Sequence, residues 1–482
     1  MMSTMPLRTP LSLMFSALLL AACASPQGLH TQGQALDSAS LQGPTFSDKL
    51  SPATWPAHDW WNSLGDPQLD GLIAAALRSN PDLQVANARA RQASAAVLAA
   101  DAQRQPTLGI EAGVTRSRAA RVDDPSGQGR RYGTLRSLSL QGGYHFDLWG
   151  GDRAAWEAAL GRARASEVDR QGARLTLAAE VTRAYNDLGL AYATQDLAEQ
   201  DLKRTRDMLV LARSRVEAGL DSDYQLQQTQ SLEAAAEASL TAATRQVDSA
   251  RIRLAVILGQ GPDGGARLPR PQLIAPSAVS LPSHVPAELI GRRPDLVAAR
   301  WRVEAASRDI EASKADFYPN LNLSLAVGSK SLLGDAMFGG ASRFFSIGPA
   351  LSLPIFDGGA RRAALAGRNA DYDVAVAQYN QTLLGALGDI GDGISRIHSL
   401  EQQIEQQQRA RDIARSSYDT AMQRYADGIG NHLDALSVEQ QLLQSERQLA
   451  SLQAERIDAS VLLMQALGGG FEAAAPLSTS AR

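Results

Sequence analysis

Six histidines, one cysteine and one glycine run are the residues of this 482-residue chain that would most readily support chemistry. His30, His58, His145, His284, His398 and His432 lie far apart, with no metal-ligand spacing among them. Gly259-x-Gly261-x-x-Gly264 has the form of a dinucleotide fingerprint, but it follows a helix-like segment and contains Pro262. No phosphate loop or nucleophile elbow is present. These residue types point to a chain that is not an enzyme and takes no metal or cofactor. Charge is nearly balanced, 47 basic against 51 acidic residues, so nothing suggests nucleic acid as a partner.

Cys23 is the one residue with a chemical role to expect. As the only cysteine it has no disulfide partner in the chain. Arg8 precedes the apolar run Leu11 to Leu20, which is too short for a permanent span and ends in Ala21-Ala22. This is the pattern of a cleaved signal peptide, residues 1–22. Leu20-Ala21-Ala22-Cys23 also resembles the bacterial lipobox, whose cysteine thiol receives diacylglycerol and whose new N-terminus receives an acyl chain. Ala24 in place of Asp implies, by that resemblance, export to the outer membrane. Such an anchor holds the chain at the bilayer surface and spans nothing.

The elements that must position everything else are two long proline-free stretches, 152–218 and 360–427. Each, read as one helix, is roughly 100 Å long at about 1.5 Å per residue. Ala178, Val181, Tyr185, Leu188 and Tyr192 form one apolar seam, and Leu387, Ile390, Ile394, Ile397 and Ile404 another. Steps averaging about 3.5 residues predict helices side by side at a shallow angle. From the helices alone, a filamentous coiled coil would serve equally well.

The chain is a tandem duplication. Pro81-Asp82-Leu83 recurs as Pro294-Asp295-Leu296, and Pro106-Thr107-Leu108 as Pro319-Asn320-Leu321, both at a spacing of 213 residues (294 − 81). Gly219 recurs as Gly428 and Leu258-Gly259 as Leu467-Gly468, at 209 (428 − 219). The organisation expected is an extended tether over 23–59, a first repeat over 60–259, a Pro/Gly-rich linker over 260–286, a second repeat over 287–469 and a tail over 470–482. Return helices are expected over 222–258 and 431–467.

Each repeat also carries two alternating segments, about 107–117 and 135–147 in the first, and about 320–329 and 343–356 in the second. Leu108, Ile110, Ala112 and Val114 alternate with Gly109, Glu111, Gly113 and Thr115; Leu321, Leu323, Leu325 and Val327 alternate with Asn322, Ser324 and Ala326. Period-two alternation over about ten residues fits membrane-barrel strands, although a soluble hairpin on a helix shows the same pattern. Tyr144, Phe146, Trp149, Phe317, Tyr318, Phe344, Phe345 and Phe356 lie in or beside these segments, as an interfacial belt requires. Four strands cannot close a barrel, and open edges are not tolerated in lipid. Three chains would supply twelve strands and, counting each return helix end to end with a preceding short one, twelve helical columns. The fold class expected is therefore mainly α with a membrane β-barrel part: a homotrimeric 12-stranded barrel, in outer-membrane lipid, continuous with a 12-column helical barrel.

The lipobox, the duplication, the strand pairs, the long helices and the tips around Gly219 and Gly428 together resemble the TolC-like outer-membrane factor family. The nearest likeness is its lipoprotein branch, the exit ducts of resistance-nodulation-division efflux pumps. The resemblance implies a passive channel for drugs or other small toxic compounds, with a periplasmic adaptor and an inner-membrane pump as partners. Gly219, Leu220, Asp221, Gly428 and Ile429 match tips that meet the adaptor. Leu433, Asp434 and Ser437 match the segment lining the narrowest point, where a ring of Asp434 would attract cations. Tyr425 matches a tyrosine that latches the closed tip. The family's latch acid and arginine are replaced by Gln225 and Gly430, which implies fewer ionic contacts in the closed state.

Two other readings use the same features. A duct for type I protein secretion would share the fold but not the lipobox. A structural periplasmic coiled-coil lipoprotein would form no detergent-requiring trimer.

Overall fold

A computed structural model describes residues 25–36, 56–118, 120, 132–271, 274, 292–332 and 336–471. Cys23 and the signal segment lie outside the described residues, as do 37–55, 275–286 and 472–482. A short 3-10 turn, Trp60–Leu64, leads into α1 (Pro67–Ser79) and α2 (Pro81–Ala102). Then follow β1 (Thr107–Arg118), β2 (Tyr132–Phe146), α3 (Gly151–Glu217) and α4 (Asp223–Ile257). The second repeat runs α5 (Pro294–Ala315), β3 (Asn320–Ser331), β4 (Arg343–Ser352), α6 (Ala360–Ala426) and α7 (His432–Ala466). Corresponding helices have equal lengths: 22 residues for α2 and α5, 67 for α3 and α6, and 35 for α4 and α7. Duplication has thus preserved the register of the whole scaffold.

The chain divides into two compact units. One contains the sheet, with residues 90–166 and 299–380 and the N-terminal segment up to Ala35. Its four strands are antiparallel in the order β1-β2-β3-β4. The register aligns Ile110, Leu140, Val327 and Phe345 in one row, and Leu108, Gly142, Leu325 and Ile347 in the next. Between them lies a row of Gly109, Gln141, Ala326 and Ser346, so one face is apolar and the other small or polar. The apolar face is open: Ile110 is 76% exposed and Phe345 79%. β1 and β4 are the free edges within the chain. β4 stops at Ser352, short of the expected Phe356, because Pro354 has no N–H for a ladder and its carbonyl accepts from Arg361.

In the same unit the N-terminal segment is held rather than free. Asp373 accepts from the backbone N–H of Gln32 (2.9 Å) and Gly33 (2.7 Å), and Arg362 donates to the carbonyls of Ser25 and Gln27. Leu29 packs on Ile310, Phe317 and Leu365.

The other unit holds the seams predicted from periodicity. Ala178, Val181, Tyr185 and Leu188 are each at most 1% exposed, and Ile390 and Ile397 are equally buried. Leu387, Ile394 and Ile404 pack against that second cluster. The expected linker is partly structural: Pro262–Arg267 forms a 3-10 turn, and Leu268 and Ile274 enter the core, which anchors this Pro/Gly-rich segment. Asn80 caps α2, its Oδ1 accepting from Asp82 and Leu83, while its Nδ2 donates to the carbonyl of Ile257 at the end of α4. The second repeat does this with Arg293, which donates to the carbonyl of Ala466. Different side chains therefore tie off the return helix at equivalent places.

Candidate functional site: the helical-hairpin tips

α3 with α4, and α6 with α7, form two helical hairpins. Each turn depends on one left-handed glycine, Gly219 at φ +74° and Gly428 at φ +78°. The N–H of Leu220 returns to the carbonyl of Arg215 (2.9 Å), and that of Ile429 to Arg424 (3.0 Å), the closing bonds of a glycine C-cap. The return helices then start on their own caps. Ser222 N–H donates to the Gln225 side chain (2.6 Å), and Asn431 Oδ1 accepts from Leu433 N–H (3.1 Å). A side chain at Gly430 would meet the backbone of Arg424 and Tyr425 at 2.8 and 2.7 Å. An arginine there would require the turn backbone to shift.

Other residues at the tips do make an ionic contact within the chain. Arg215 Nε donates to Asp221 Oδ2 (2.8 Å), and the Tyr425 hydroxyl donates to the same carboxylate (2.8 Å). Arg215 also donates to the carbonyl of Tyr425 (3.1 Å) and lies over its ring at 4.7 Å. This arrangement fastens the first hairpin to the second. The bond from Arg215, with help from Tyr425, holds the Asp221 carboxyl below the usual carboxylate range. Burial, and then the hydrogen bond to Asp221 and its charge, push the Tyr425 phenol up, so it stays protonated and donating. Behind it, His432 is buried with Nε2 against Thr229 Oγ1 (2.9 Å), and burial lowers its pKa. Met208, Ala435 and Leu436 complete the apolar packing around Tyr425.

The predicted residues thus separate into two groups. Tyr425 and Asp221 come together inside the chain, so the Asp221 carboxylate is engaged by the partner hairpin rather than presented outward. Leu220 and Ile429 stand out from the turns at 66% and 71% exposure. Leu433, Asp434 and Ser437 share the exposed face at the start of α7, with Ser437 donating to the carbonyl of Asp434 (2.9 Å). Sequence reasoning did not single out Arg215 and His432 as members of this site. One signal was available for the first: Arg215 and Arg424 each precede a turn glycine by four residues.

No helix among the described residues is long and apolar enough to cross a membrane. The sheet, with its open apolar face and small or polar opposite face, is the part suited to lipid. Residues 72–260 and 285–469 match the family described as outer membrane efflux protein, one match on each repeat. The chain belongs to that family. As an outer membrane efflux protein it is a passive duct in the outer membrane of a Gram-negative bacterium, and not an enzyme.

Individual relatives agree. The chain is 37% identical over 382 residues to the fusaric acid resistance protein FusA of Burkholderia cepacia, covering 75% of this chain and 69% of that protein. It is 31% identical over 484 residues to the pyoverdine export outer membrane protein OpmQ of Pseudomonas putida, covering 98% and 100%. The outer membrane protein VceC of Vibrio cholerae superposes with a TM-score of 0.80 at 33% identity, covering 87% of this chain and all of VceC.

Proposed function

We propose that three copies of this efflux protein form the exit duct of a tripartite pump. An inner-membrane transporter of the resistance-nodulation-division class and a periplasmic adaptor deliver drugs or other small toxic compounds to it. One observation carries the trimer: a four-stranded sheet with an apolar face and two free edges, β1 and β4. In lipid those edges must pair, and β4 of one copy meets β1 of the next. Two copies would give eight strands, whose interior side chains fill, whereas three give twelve and leave a lumen. The small residues of the polar face, Gly109, Gly113, Ser137, Ser324 and Gly348 among them, suit a lumen that conducts.

The tips are the periplasmic gate in this reading. Leu220 and Ile429 are the apolar contacts offered to the adaptor, around turns set by Gly219 and Gly428. Leu433, Asp434 and Ser437 form rings toward the axis, and the Tyr425–Asp221–Arg215 contact latches the closed form. Cys23 carries diacylglycerol and an acyl chain. Ser25, two residues on, lies against Arg362 at the strand end of α6, beside the region that meets lipid.

Mass measurement of the detergent-purified protein tests this reading. Native conditions are expected to give three chains, and denaturation one chain bearing lipid at Cys23. A monomer soluble without detergent would refute the duct and favour a periplasmic coiled-coil lipoprotein.

A further inference from the structure

About 16 Å along α3 from Arg215, at 1.5 Å per residue, the two hairpins meet again in a buried ionic cluster. Asp201, Glu439 and Glu446 are 9%, 5% and 7% exposed, unusual burial for three carboxylates. Glu446 is well matched: it accepts from Arg415 of α6 (2.6 Å) and from Arg204 of α3 (3.3 Å). What remains of Arg204 faces two acids at once. Its Nη2 lies 3.9 Å from Asp201 and its Nε 4.0 Å from Glu439. Neither nitrogen has a hydrogen-bond partner among the described residues, nor does Glu439 Oε1. The other polar neighbours are Tyr418 and Asp419 of α6, Asp207 of α3 and Arg447 of α7. A buried interface in which two carboxylates share the Arg204 cation does not hold both of them ionised comfortably.

We propose that Glu439 is a proton-dependent latch between the two hairpins, holding them together when neutral and loosening them when ionised. Burial, and then the Asp201 charge, push the Glu439 carboxyl up to about 7, against 4.5 for an ordinary glutamate. Separation of the hairpins would hydrate the carboxyl and return it toward that ordinary value. The closed tip therefore binds a proton that the open tip releases, and closure weakens as pH rises between about 4.5 and 7. The tip latch responds differently. Asp221 is held below its ordinary 3.8, so its contribution is complete above that pH and constant across the neutral range. His432, lowered from 6.5 by burial, opposes Glu439 below about 6.5, because a charged imidazole favours the hydrated, open form. The cluster thus gives the gate a sensor for the acidity of its compartment.

The inference rests on reading the tips as the duct's gate, and it is tested on the full-length trimer in planar bilayers. Wild type and Glu439→Gln, which is permanently neutral, would be compared in open probability from about pH 5 to pH 8. The contribution of His432 is common to both and cancels in their ratio. That ratio is expected to change by up to about tenfold per pH unit and per chain between 4.5 and 7, wild type opening more as pH rises. Parallel profiles would overturn the latch while leaving the duct intact, whereas the absence of channels at every pH would count against the duct itself. Hydrogen exchange on the same pair of proteins gives a second readout. After correction for intrinsic rates and relative to Glu439→Gln, which carries the same His432, the wild-type α7 amides around Leu436 to Glu446 should be better protected at about pH 5.5 than at about pH 8. Equal protection would overturn the proposal.

Discussion

Replacement of Tyr425 by Phe isolates the tip latch from the packing around it. The ring is fully buried against Met208, Ala435 and Leu436, and Phe keeps that contact. Only the hydroxyl is lost, and with it one hydrogen bond of 2.8 Å to the Asp221 carboxylate. Hydrogen bonds to charged groups contribute about 1.5–3 kcal/mol. The low end applies, because Asp221 retains its two contacts with Arg215, at 2.8 and 3.3 Å. About 1.5 kcal/mol is roughly a tenfold shift toward separated hairpins for each chain. If three tips release together the factors multiply, to about a thousandfold. Single-channel recording of the trimer in planar bilayers measures this directly, as a rise in open probability with no change in thermal dissociation of the trimer. A Phe variant with the wild-type closed state would refute the assignment of Tyr425 as a latch. Tyr425→Ala, by contrast, also empties a buried ring site at a cost of about 3–5 kcal/mol, and should lower the stability of the tip as well.

Two further outcomes test the scaffold. A methyl group at Gly328 would clash with the Leu138 carbonyl and lie 2.7 Å from the Ser139 Cα, so Gly328→Ala must push β2 and β3 apart. A destabilisation of about 1–3 kcal/mol is expected, seen as a lower temperature for dissociation of the trimer on semi-native gels. Asn80→Ala removes the cap of α2 and leaves the Ile257 carbonyl without its side-chain donor; a loss of about 1–2 kcal/mol should appear as a lower midpoint in thermal melts followed by circular dichroism.

Local patterns account for what could be read from the residues alone. The steps of three and four through Ala178, Val181 and Tyr185, and the alternation through Leu108 and Ile110, are properties of neighbouring residues. They predict helix and strand wherever the chain must bury one face. The 213- and 209-residue spacings then make each prediction twice, which is why the ends of α3, α4, α6 and α7 fall within a residue of expectation. Gly219 and Gly428 were readable for the same reason, since a left-handed turn residue is a local requirement.

The contacts that join one hairpin to the other were not readable, because they link residues about 200 positions apart, as Tyr425 with Asp221 and Arg215 with the carbonyl of Tyr425. Arg215 is nine residues C-terminal to another arginine, Arg206, and only the folded hairpins decide that the first meets Asp221 and Tyr425 while the second meets Glu233 and Glu237. Gln225 and Gly430 suggested few ionic contacts at the tips, whereas the tertiary structure brings Arg215, Asp221 and Tyr425 together there. Glu439 looks in the sequence like any glutamate on a polar helix face. Its burial, and with it its proton affinity, depends on which side of α7 turns toward Arg204 of the other hairpin. Periodicity decides that a helix has an inner face; packing decides which charges are trapped on it, and trapped charge is what titrates.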